Sequence, residues 1–125
     1  MSHFSTIQTK LKDRSNLLKA LQNLSIEILE DVELDNPLGH NHPKVHADIS
    51  INDTSGFIWN KTNYEFITDK QTWKNSIPVE RLLDKINQEY AKVSIYEIAK
   101  VEGFSISEES IKDDGSLELV CTRWN

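Results

Sequence analysis

Between Pro78 and Glu102 the apolar positions fall at helical spacing. Val79, Leu82, Leu83, Ile86, Tyr90 and Val93 recur three and four residues apart, which puts them on one face, and Ile95, Ile98 and Ala99 continue an apolar side beyond Ser94. Pro78 suits the first turn, where its missing N–H has no partner to lose. Gly103 can take the left-handed backbone that ends a helix, and Phe104 and Ile106 then alternate with serines as a strand does. A helix this long predicts a brace across one face of a sheet.

The remaining pattern supplies that sheet. Phe4 to Leu11 reads as a first strand, with Thr and Ile favouring extended backbone. Asp13 is placed to cap a short helix that buries Leu17, Leu18, Ala20, Leu21 and Leu24. Ile26, Ile28 and Leu29 follow as a second strand, and from Asp31 to Pro43 turn and loop formers interrupt the pattern. Val45, Ala47, Ile49 and Ile51 alternate with His46, Asp48, Ser50 and Asn52, predicting a strand with one apolar and one wet face. Phe57-Ile58-Trp59 and Tyr64-Glu65-Phe66-Ile67 complete a meander, and Asp69 to Ile77 crosses to the long helix with Trp73 as a packing anchor. Phe104 to Ile111 and Leu117 to Trp124 flank Asp113-Asp114-Gly115, a strong hairpin signal.

The expected fold is therefore one α+β domain over 1–125, in the order β-α-β, β meander, α-β-β. Its antiparallel sheet carries two helices on one face, as in a ferredoxin-like or related α/β sandwich. The helix-to-strand passages Leu18–Glu27 and Glu97–Ile106 match in part at apolar positions. That raises a duplication in which two halves share one sheet, with a ligand pocket at their junction.

Composition narrows the function classes. The chain has 125 residues, 14 basic against 20 acidic, and a formal charge of -6, which works against unspecific binding to nucleic acid or anionic lipid. No apolar run approaches the roughly 20 residues needed to span a bilayer, so an integral membrane protein is not expected. The N-terminus has neither a signal-peptide core nor an Arg-rich import pattern. A single cysteine, Cys121, excludes an internal disulfide; alternating with Leu117 and Leu119, it reads as a small buried hydrophobe.

Chemistry-bearing groups are few. His40 and His42, with His46 and Asp48 just beyond, form the one grouping that resembles a ligand set, since imidazoles bind zinc, copper or nickel and alternate strand residues share a face. His3, near the terminus, reads as solvated. The paired carboxylates Glu30-Asp31, Glu108-Glu109 and Asp113-Asp114 are sequence neighbours rather than groups converging across a cleft. With four glycines and no phosphate-cradling loop, G-x-S-x-G or Cys-x-x-Cys, no cofactor is expected. Most aromatics read as core; Trp59, on a short strand between polar turns, and Trp73 are the candidate partner contacts.

Several segments together resemble a known family. Met1-Ser2-His3-Phe4-Ser5-Thr6-Ile7, Gly56-Phe57-Ile58-Trp59-Asn60, Tyr64-Glu65-Phe66-Ile67-Thr68-Asp69, Gln71-Thr72-Trp73 and Pro78-Val79-Glu80-Arg81-Leu82-Leu83 are similar to the hypothetical chloroplast reading frame thirty-five family. The resemblance covers nearly the whole chain. It implies a plastid protein with no transit peptide, located in the stroma, and it brings no known reaction or catalytic residues. The expectation is a small soluble binding or assembly factor with a protein partner, not an enzyme. The alternative is a metal- or small-molecule-binding protein that uses the histidine loop.

Overall fold

The computed structural model describes residues 4–36, 44–73 and 76–123. Asp13 caps the first helix as its side chain predicts: the carboxylate accepts the Asn16 backbone N–H at 2.9 Å. That helix, α1 (Arg14–Asn23), buries Leu17, Ala20 and Leu21. It joins two short strands, β1 (Ser5–Gln8) and β2 (Leu29–Leu34). The meander follows as β3 (Val45–Asn52), β4 (Ser55–Trp59) and β5 (Tyr64–Thr68). The long helix α2 spans Val79–Val101, with Pro78 as the residue just before its first turn. Gly103 closes it with φ of 81°, the left-handed value that glycine adopts without a Cβ clash. The chain then ends in β6 (Phe104–Ile111) and β7 (Leu117–Arg123).

All strand pairs are antiparallel, and the first five strands form one sheet in the order β1-β5-β4-β3-β2. The fold is α+β, in the predicted element order. One register row, Ile7–Phe66–Phe57–Ile49, crosses four strands and points into the core. Leu17 and Leu21 of α1 and Val79, Leu82, Leu83 and Ile86 of α2 close over that row. Full burial of each such side chain is worth about 1.5–3 kcal/mol against exposure, so this layer dominates stability. The Phe57 and Phe66 rings lie 5.0 Å apart, and Trp73 meets Phe66 edge-on at 6.5 Å. The Tyr90 hydroxyl ties α2 to the start of α1 by accepting the N–H groups of Lys12 and Asp13 at 3.2 and 2.9 Å.

Three features differ from the sequence expectation. The second strand is shifted: it runs from Leu29 to Leu34 instead of ending before Asp31, because Val32 and Leu34 turn inward from an edge where Asp31 and Glu33 can face water. Within it Asp31 has φ of 53°, a left-handed backbone that Asp tolerates better than most residues. The final hairpin does not enter the sheet but forms a separate two-stranded ribbon, so the two halves do not share one sheet. Cys121, predicted buried, is exposed there, beyond the half-buried Leu117 and Leu119 of the same strand. No helix among the described residues is long and apolar enough to cross a membrane.

Candidate functional site

Residues of α2 that join the sheet's core come from its first half, with Tyr90 half-buried at their end. Beyond that point Val93 and Ala99 stay buried, while Ile95, Ile98 and Val101, spaced by three, face water. Ile98 and Val101 are 59% and 86% exposed, so this stripe is apolar without being core. The sequence pattern misleads here for a physical reason: helical spacing reports an apolar face, not whether anything covers it.

The ribbon leans on α2 through polar contacts that run from Gln88 to Tyr96. Glu109 of β6 pairs with Lys92 at 2.7 Å and accepts the Tyr96 hydroxyl, while the Gln88 side chain donates to the Gly115 carbonyl at 2.7 Å. The Lys92 hydrogen bond, reinforced by Tyr96, holds the Glu109 carboxyl below its ordinary value. In return Glu109 raises both Lys92 and Tyr96. Ile111 and Val120 of the ribbon are 64% and 40% exposed, and β6 and β7 pair only with one another among the described residues. An unpaired strand edge is a template for another strand.

A cleft of about 720 Å³ lies between α1, α2 and the ribbon, where Lys19 pairs with Glu97 at 2.9 Å, Lys92 with Glu109, and the Asn23 side chain donates to Glu89 at 3.1 Å. The helix–sheet junction, where duplicated halves predicted a ligand pocket, is filled by Leu17, Leu21, Ile49, Phe57, Phe66, Leu83 and Ile86.

The predicted site residues separate into groups. Trp59 is 42% exposed and lies edge-on to Tyr64 at 5.0 Å. Trp73 is half-buried and acts as a brace, its indole N–H donating to the Ile77 carbonyl at 2.8 Å. His40 and His42, like His3, lie outside the described residues. His46 and Asp48 share the wet face of β3 and meet Asp31 of β2, with ligand atoms of all three within 4.8 Å of one another. Asp31 and its neighbour Glu33 were missed because acidic residues after Leu29 read as a loop; the two-residue spacing of Val32 and Leu34 was the available signal.

A family model described as a protein of unknown function, DUF1257, matches residues 20–120. The chain belongs to this family. DUF1257 relatives include the uncharacterized protein ycf35 of Pyropia yezoensis, 37% identical over 128 residues, which span 100% of this chain and 99% of the relative. The ycf35 proteins of Guillardia theta and Cyanophora paradoxa are 36% and 32% identical, over 99% of this chain and 98% of each relative. These ycf35 relatives are plastid-encoded, which implies a plastid location. No solved structure matches the chain.

Proposed function

We propose that this DUF1257 protein is a soluble, single-domain, non-enzymatic binding or assembly factor of the plastid stroma. It docks a protein partner on the second half of α2 and the β6–β7 ribbon. The observation that carries the reading is the exposed apolar stripe Ile95, Ile98 and Val101 of α2, together with Ile111 and Val120 exposed on the ribbon. Apolar surface of this kind on helix and strand favours a partner that removes it from water. The formal charge of -6 argues for protein rather than nucleic acid. Trp59, 42% exposed, offers a secondary contact, and Trp73, packed on Phe66, supports the core.

Affinity capture from a plastid extract tests this with three forms of the chain. A partner retained by the wild type and by Thr6→Asp, on the open sheet face, but absent from the Ile98→Asp/Val101→Asp double variant supports the site. Recovery of the same proteins by all three forms, or of the wild type alone, contradicts it.

A further inference from the structure

On the opposite side of the molecule, the wet face of the sheet gathers one imidazole and three carboxylates. His46 stands opposite Glu33 in the β2–β3 register, and its Nδ1 lies 3.7 Å from the Glu33 carboxylate. Its Nε2 lies 3.7 Å from Asp31 Oδ1. Both distances exceed hydrogen-bond reach, so neither carboxylate is satisfied by the ring in this arrangement. Asp48, two residues along the same strand, is oriented by the Trp59 backbone N–H, which donates to its Oδ2 at 2.6 Å. One oxygen of this carboxylate lies within 4.8 Å of ligand atoms of His46 and Asp31.

We propose that Asp31, His46 and Asp48 bind a divalent first-row transition-metal ion. Ligand atoms around such an ion lie about 2.0–2.2 Å from it and therefore roughly 3–4 Å from one another. The three groups already lie within 4.8 Å, so small side-chain rotations close the set. The chemistry selects the ion class: an imidazole nitrogen favours zinc, copper, nickel or iron(II) over magnesium or calcium, and the two carboxylates, which also admit manganese, supply the balancing charge. Glu33 stands where it can accept from the ring nitrogen that does not bind the metal, fixing the imidazole's orientation. Asp31 and Asp48 come from paired strands, so the backbone ladder and not a loop sets their spacing. The site is independent of the docking surface on α2 and the ribbon.

Two measurements on the intact chain test it. Calorimetric titration with zinc chloride is expected to give one site, weakened at least tenfold by His46→Ala and by Asp48→Asn, while magnesium gives no comparable binding. Because these side chains are exposed or half-buried, circular dichroism of the variants is expected to match the wild type. Substoichiometric manganese, followed by amide NMR of the unaltered protein, is expected to broaden Asp31, His46, Asp48 and Trp59 first. Absence of zinc binding, binding unchanged in His46→Ala, or broadening that begins elsewhere, for instance at the acidic hairpin tip, overturns the site.

Discussion

Gly56 of β4 pairs with Ser50 of β3. A Cβ built there would meet the Ile49 carbonyl oxygen at 2.6 Å and the Ala47 Cβ at 3.1 Å, in the sheet's centre where backbone cannot retreat. Gly56→Ala is therefore expected to destabilise the fold by about 1–3 kcal/mol, read from urea denaturation. Truncating Ile86, a fully buried α2 side chain in the core between helix and sheet, is expected to cost about 2–5 kcal/mol by the same measurement. Glu109 acts differently, through charge. Its carboxyl is held below the ordinary 4.5 by Lys92 and Tyr96, so its stabilising effect is present above that value and is lost as pH falls through the depressed one. Lys92 and Tyr96 are raised above 10.5 and 10.0, so their contribution is complete below those values and is lost as pH rises through the elevated ones. The Tyr96 phenol is expected to ionise above 10.0, and Glu109→Gln to bring it back down, as followed by tyrosinate absorbance.

At the scale of elements, the sheet and the ribbon differ in how they are held. β3, β4 and β5 have strands on both sides and two helices above, whereas β6 and β7 have one another and a few polar contacts to α2. A lone two-stranded hairpin is marginal in water. Backbone amides of the ribbon are accordingly expected to exchange with solvent well before those of β3 to β5, and faster still in Glu109→Gln, by hydrogen-exchange mass spectrometry. Elements with strong periodicity were legible in the sequence: α2 from its three-and-four spacing, β3 from its alternation, and the terminal hairpin from Asp114-Gly115. β2 was displaced in the reading because Glu30, Asp31 and Glu33 disguise an edge strand whose outer side is meant to be wet. The separate ribbon was not legible, since alternation in β6 and β7 specifies strands and not the sheet they join. The same limit explains Cys121 and Ile98, whose apolar neighbours imply a cover that the described residues do not provide. His46 and Asp48 were visible as a pair, but their partner Asp31 depends on cross-strand register, which only the fold supplies.

For the whole molecule, these parts add up to a sheet finished on one face by its helices and a C-terminal half left unfinished. The first half of α2 stabilises the fold, and its second half with the ribbon offers apolar surface that the described residues do not bury. Charge placed on that stripe should leave folding nearly intact, within about 0.5 kcal/mol, because surface substitutions away from packed contacts are close to neutral. Stability and partner binding should thus separate by position along one helix. Site-specific photo-crosslinking in plastid extract tests this most directly, with benzoylphenylalanine placed at position 98 on α2, at 111 on the ribbon, and at 6 on the open sheet face. The account predicts a discrete adduct from 98 and 111 and none from 6. Adducts from 6 alone, or no adduct from 98 and 111, would contradict it.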